Sequence, residues 1–411
     1  MLRIRHIAAG SRVRYLAALS LSLVAALSGG ADWLHFRGSD TSGISIETGL
    51  PTTWSATENV AWKTALPGRG VSSPIVVAGK VIVTSSSGFR DDKLHVLCVD
   101  AASGKVDWHR QFWATGRSLH HPTSSNAAPS PTSDGRRVYA FFSSNDLVCI
   151  ELDGTVRWMR GLTYDFPTAV NDVGMSSSPV VVDDTVIVQV ECKGDSFSAG
   201  IDADTGETRW QLPRLKDMNW CSPALMPLSD GRQAVLLQSP DRLTAHEPRT
   251  GKELWAYVAP CSSIPSAVAD DKLVLVPSAG LTALRAVASG TPEVVWKENR
   301  LGPGNSSPVT HGDLVYVINR GGVLVSGKLS DGSIVAQLRL GGSFWATPII
   351  AGDHLYAANE EGITHVVKLG EKPEIVAKNE LGEPVLGTPA IGGGALFIRS
   401  DGNLWKIASG K

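Results

Sequence analysis

Apolar residues in this chain fall in short runs separated by turn signals. Val180-Val181-Val182, the pair Asp183-Asp184 and Val186-Ile187-Val188 make one such set; Ala390-Ile391, Gly392-Gly393-Gly394 and Leu396-Phe397-Ile398 make another. Short β-branched runs bounded by Asp and Gly read as strands joined by tight turns. A longer signature follows at Ile201-Asp202-Ala203-Asp204-Thr205-Gly206-Glu207-Thr208-Arg209-Trp210. It predicts a strand, an Asp-Thr-Gly turn and a second strand that ends on tryptophan. The Asp side chain caps turn amides, and Gly takes the left-handed conformation that the hairpin needs. The same signature runs from Asp100 to Trp108, Glu151 to Trp158 and Glu247 to Trp255, and Val294-Val295-Trp296 keeps its last strand. Self-similarity at roughly 40–50 residues marks a propeller or a solenoid.

A second signal counts the units. Two small residues and a proline, followed by an apolar run, occur at Ser72-Ser73-Pro74, Ala127-Ala128-Pro129, Ser177-Ser178-Pro179 and Cys221-Ser222-Pro223. They occur again at Ser306-Ser307-Pro308, Ala346-Thr347-Pro348 and Gly387-Thr388-Pro389. Near Ile264-Pro265-Ser266 the register shifts. Aligning Asp270-Asp271 with Asp183-Asp184 puts Ser266 where Pro179 stands, which gives eight units. Proline at the start of a strand removes no ladder bond, and small residues beside it suit a crowded place where strands from all units converge. Each unit holds four strands, as a propeller blade does. The last, from Gly387 to Ile407, has only three, and the isolated strand Asn59-Val60-Ala61-Trp62-Lys63 supplies the fourth. The fold class is therefore all-β: an eight-bladed β-propeller of four-stranded antiparallel blades over residues 59–411, its ring closed by the N-terminal strand. Closure leaves no incomplete blade with a sheet edge open to aggregation. Residues 32–58, polar and Gly-rich around Trp33 and Trp54, are expected to form an irregular arm lying across the body.

The Asp-to-Trp copies, fullest at Asp202 to Trp210, resemble the repeats of the pyrroloquinoline-quinone (PQQ) superfamily of eight-bladed propellers over roughly residues 60–407. The resemblance implies that the repeat tryptophans Trp62, Trp108, Trp158, Trp210, Trp255 and Trp296 dock between neighbouring blades. The stretches Ile334–Leu338 and Glu374–Lys378 are the outer strands without tryptophan.

Residues 1–31 carry Arg3, Arg5, Arg12 and Arg14, an apolar run from Tyr15 to Leu27 and small residues at Ser28 to Ala31. That is the layout of a secretory signal peptide, so the chain is expected to be exported, to the periplasm or cell envelope, with no membrane span after cleavage. Its removal takes the net charge from −2 to about −6, which argues against nucleic acid as a partner. The five cysteines lie far apart without C-x-x-C spacing, and so suggest neither zinc nor c-type haem. They read as small buried side chains.

The superfamily includes quinoprotein dehydrogenases and non-catalytic members such as the assembly factor of the outer-membrane β-barrel machinery. The dehydrogenases share a vicinal Cys-Cys pair and a calcium site of Glu, Asn and Asp beside a catalytic Asp. This sequence has no adjacent cysteines and no such set that can be placed residue by residue, so catalytic and metal residues are expected to be none. No G-x-S-x-G, H-E-x-x-H or G-x-x-x-x-G-K-[ST] occurs. His120-His121 is the most metal-like feature, but adjacent side chains on a strand point apart. Geometry offers better candidates. The residues leading into each small-small-Pro should ring the channel mouth: Val71, Asn126, Ser176, Trp220, Ser263, Asn305, Trp345 and Leu386. Arg69 and Tyr164 lie in the same loops, and Trp113–Ser125 and Leu162–Met175 are long enough to signal recognition. The candidate binding set is Arg69, Asn126, Tyr164, Trp220, Asn305 and Trp345. The expectation is an exported, non-enzymatic binding or scaffold protein that recognises a protein or peptide partner at the channel mouth in envelope assembly. The alternative is a PQQ-dependent alcohol or sugar dehydrogenase, or a degenerate ligand-binding relative, holding PQQ and Ca2+.

Overall fold

Eight four-stranded antiparallel sheets surround one axis in the computed structural model, which describes residues 31–170 and 172–409. Their innermost strands are Ile75–Val77, Thr132–Ser133, Val180–Val182, Ala224–Pro227, Val268–Ala269, Val309–His311, Ile349–Ala351 and Ala390–Gly392; they define blades 1 to 8. Each blade is built from consecutive strands, except that Val60–Ala65 pairs with Asn403–Ile407 and completes blade 8. Strands in the middle of a blade are covered on both faces, so they read as unbroken apolar runs: every residue of Thr185–Val190 is buried. Outer strands have one face in water and alternate, as in Thr208–Pro213. The hydrophobic period along each strand thus follows its distance from the axis.

The tryptophans fasten blade to blade. The indole N–H of Trp62 donates to the carbonyl of Ala101, Trp108 to Leu152, Trp158 to Ala203, Trp210 to Pro248, Trp255 to Val287 and Trp296 to Leu329, at 2.7–3.3 Å. Every acceptor lies in the next blade. For five of the six, all but Trp255, the turn glycine of that blade packs on the same ring. A Cβ on Gly206 or Gly251 would lie 2.7 or 2.6 Å from the indole, and both have positive φ. Glycine is required there twice over, for backbone sign and for contact. In blades 6 and 7 the register position of the tryptophan holds Ala336 and Ala377. Trp54, brought in by the arm, is buried beside Tyr356 with ring centroids 6.3 Å apart, and so packs blade 7 from outside the repeat.

The arm does not lie across the outside of the body. It enters the bore from the end where the first two strands of each blade turn, and runs round the inner strands. Trp33 exchanges two backbone hydrogen bonds with Val76, and the Leu34 carbonyl accepts from Ser133 N–H. His35 Nδ1 bonds to Thr132 Oγ1. Thr41 Oγ1 accepts from Leu225 N–H at 2.9 Å, and Ile44–Ser45 adds to Ile349–Ala351 as a parallel fifth strand. Glu47 finally accepts from the amides of Gly393 and Gly394. Innermost strands have a free ladder edge that must find partners when buried, and the arm supplies them in blades 1, 2, 4 and 7. The expected signal segment lies outside the described residues.

Candidate functional site

The strand starts build a ring of hydroxyls around the axis. Ser73 N–H donates to Ser130 Oγ, Ser130 to Ser178, Ser178 to Ser222, Ser222 to Ser266, Ser266 to Ser307, Ser307 to Thr347 and Thr347 to Thr388. These seven bonds of 2.9–3.1 Å cross from each of blades 1 to 7 to the next. The inner edge of each of these seven sheets thus finds an acceptor in the neighbouring blade's side chain. This ring corrects two registers read from the sequence. In blade 2 the working motif is Ser130-Pro131, not Ala127-Ala128-Pro129, so the rim residue is Ala128 and not Asn126. In blade 5 Ser266 matches Ser178, Ala267 stands where proline stands elsewhere, and the rim residue is Ile264 rather than Ser263. Hydroxyl, more than proline, is the signal that repeats.

All eight hydroxyl residues and all eight corrected rim residues line one cavity of 410 Å3. Phe36 of the arm is its floor, so the channel is a blind funnel open at the mouth. Trp220 is half-buried and donates its N–H to the Gly174 carbonyl at 2.8 Å. Trp345, 44% exposed, donates to Glu360 Oε2 at 3.1 Å. Asn305 lines the funnel between them. Among the described residues no Asp, Glu, Lys or Arg lines it, and His121 is its one titratable side chain.

The other three candidates are not funnel residues. Asn126 is fully buried and pins the long loop after Trp113, donating to Asp91 O and Ser118 Oγ and accepting from Ser144 N–H. Arg69 holds the same loop through the Pro122 carbonyl at 3.0 Å while pairing with Asp401. Tyr164 ends a short 3-10 turn and is exposed beside the mouth. His120 bonds to Asp91 at 2.8 Å, and His121 N–H donates to the Val173 carbonyl at 3.0 Å. The two long loops therefore join into one wall over the blade 1–3 side of the funnel. The opposite side stays low and open.

Two arginines that sequence reasoning did not single out flank the funnel. Arg37 follows Phe36, is wholly buried, and spends one N–H on the Ala267 carbonyl at 3.0 Å, one residue past ring member Ser266. Arg399 is buried across the ring beside Ser72, with Nη1 3.5 Å from its hydroxyl. Neither is ion-paired among the described residues, and each keeps two guanidinium nitrogens without a partner. Burial pushes their pKa values down to about 10 and about 9, so both remain cationic at neutral pH.

Calcium needs about six to eight oxygen ligands, carboxylates among them. Among the described residues the funnel lining offers no carboxylate, and no cluster of three or more His, Cys, Asp or Glu is arranged for a metal ion. The five cysteines are free, and burial pushes the Cys98, Cys149 and Cys261 thiols up to about 12. The residues do not fit the calcium-assisted quinone site of a dehydrogenase.

A closed ring of eight blades with tryptophan fasteners and a blind axial funnel defines a PQQ-like propeller. The chain belongs to the family described as outer membrane protein assembly factor BamB, whose model matches residues 20–188, 166–263 and 282–373. No curated protein sequence matches the chain. Similar solved structures include BamB from Moraxella catarrhalis, 17% identical over 84% of this chain and 97% of that one, with a TM-score of 0.58. A europium-containing methanol dehydrogenase is 12% identical over 90% of each chain with a TM-score of 0.66. The quinohemoprotein alcohol dehydrogenase of Comamonas testosteroni is 12% identical, covering 92% of this chain and 81% of its own, at 0.65. At these identities the likeness is one of fold. Among the described residues no helix is long and apolar enough to cross a membrane.

Proposed function

We propose that this protein is an exported, non-enzymatic binding and scaffold protein of the cell envelope, which captures a segment of a protein partner at the funnel mouth and serves in outer-membrane protein assembly. The observation that carries the reading is the sidedness of the surface. Second-to-third strand turns and outer-strand ends lie on the mouth face. Four of the five most exposed large apolar side chains among the described residues lie there: Phe89, Tyr164, Val258 and Trp113, at 97, 81, 70 and 59%. Exposed apolar area around a concave site marks a binding surface. Among the described residues, His121 is the one acid–base group that lines the funnel. The family's description and the likeness to BamB of Moraxella point toward assembly work in the outer membrane. The test is the double variant Trp220→Ala/Trp345→Ala: it loses capture of the crosslinked envelope partner and keeps the parent melting temperature. A large fall in stability, with capture retained, refutes the reading. Titration with PQQ plus calcium, followed by dye reduction with alcohols and sugars, tests the dehydrogenase alternative; turnover would establish it.

A further inference from the structure

We propose that the funnel is a receptor for a free polypeptide C-terminus, seating the terminal carboxylate on the hydroxyl ring and the last apolar side chains between Trp220 and Trp345. This rests on the reading of the mouth as a protein-binding site.

The argument begins with the hydroxyls. Seven of the eight accept a backbone N–H, yet none of the eight donates its own proton to a protein acceptor among the described residues. All are buried, at 5% exposure or less, and all line the funnel. Eight uncommitted O–H donors thus converge on one small volume. An O–H whose oxygen already accepts a hydrogen bond is a stronger donor, because chained hydrogen bonds polarise one another. A converging set of donors calls for a ligand group rich in lone pairs.

Charge decides which group. Arg37 and Arg399 stand behind opposite arcs of the ring without ion-pair partners among the described residues; Asp40 and Asp401 act on them electrostatically, but neither lines the funnel, and no other described carboxylate does. Buried cations act strongly over short range, so the ring favours an anion over a neutral polyol. The Asn305 amide makes no bond among the described residues and adds two further donors at the rim. Above this floor the walls turn apolar, with Val71, Ile264 and Leu386 beside the two indoles. An anionic head on an apolar body is the chemistry of a chain terminus whose last residues are hydrophobic, and capture of a terminal carboxylate by converging donors is an established recognition mode. A small carboxylate would be satisfied by the funnel alone. The exposed apolar side chains beyond its rim extend the contact to a ligand that continues outward.

The experiment measures fluorescence anisotropy of N-acetylated hexapeptides ending in Leu, Phe or Tyr, each prepared as the free acid and as the C-terminal amide. PQQ alone forms a separate arm. Hydrogen bonds to a charged group are worth enough that the acids should bind at least about tenfold more tightly than the amides. The double variant Ser307→Ala/Thr347→Val should bring the acids down to the level of the amides. If that variant fails to fold, the acid–amide comparison on the parent protein still decides. Equal binding of acids and amides, both lost in Trp220→Ala/Trp345→Ala, overturns the carboxylate receptor and leaves the peptide-binding reading intact. Failure of every peptide to bind overturns the proposal, as does tight binding of PQQ without any preference for acids among the peptides.

Discussion

Replacing Trp210 with alanine tests how the blades are held together. The indole is 8% exposed, donates to the Pro248 carbonyl at 2.7 Å, and is covered by the Gly251 turn of the next blade. Truncating an aromatic side chain in a core costs about 3–5 kcal/mol, part from lost burial and part from the cavity left behind. The cavity here opens between two blades rather than inside one, so little can collapse into it. Trp210→Phe separates the contributions: it keeps most of the packing and strands the Pro248 carbonyl, for a loss of about 1–3 kcal/mol. Urea unfolding followed by circular dichroism gives both values, provided the slopes match the parent. Hydrogen exchange should place the loosened amides in Arg242–His246 and Glu253–Val258, across the blade 3–4 boundary. A loss below about 1 kcal/mol for Trp210→Ala, the size of an ordinary surface substitution, would refute the view that the tryptophans fasten the ring.

Other consequences can be measured in the same way. Gly251→Ala should cost well over the roughly 1–2 kcal/mol of a left-handed backbone alone, because its Cβ would meet Trp210 at 2.6 Å; Gly290→Ala, with positive φ but nothing within 4 Å, should cost only that backbone amount. Burial holds the pKa of His35 down at about 4. The folded state therefore keeps it neutral, and its contribution is complete above pH 6.5 and is lost as pH falls from 6.5 toward 4. Melting temperatures of His35→Gln should be less pH-dependent than those of the parent across that window, and parallel curves would argue against it. Asp100 is held at about 2, first by the Ser103 hydroxyl and then by the Ser103 amide, so its share of stability is present above about pH 4 and disappears as pH falls toward 2. Asp100→Asn should flatten the acid limb of the melting curve. Deleting residues 32–48 should open the bore at its far end and raise binding of an apolar dye, while leaving strand content by circular dichroism almost unchanged.

The ring was legible because its parts are local. A turn, a strand and a tryptophan lie within ten residues of one another, and eight copies make the count robust against the weak ones around Ile334–Arg339 and Glu374–Glu380. Register was less secure. Pro129 and Pro131 are two residues apart, and proline spacing alone picks the wrong one; in blade 5 the proline falls one residue before Ser266, with Ala267 in its usual place. Only the cross-blade bonds through Ser130 and Ser266 fix those positions. The arm was beyond reach for a different reason. Arg37 meets Ala267 across 230 residues of sequence, and nothing in a single irregular segment states which surface it will complete. The same holds for Arg69 and Asn126, whose position beside the mouth was readable but whose side chains turn away to tie down a loop.

Pairing Val60–Ala65 with Asn403–Ile407 has a consequence for how the molecule comes into being. On the ribosome seven blades can be made in full while the eighth waits for a partner strand translated more than three hundred residues after its mate. Until then the toroid is an arc with two raw ends, and a premature stop even shortly before Asn403 leaves it so. Quality control that senses that open arc would in effect be checking that the last blade had been made.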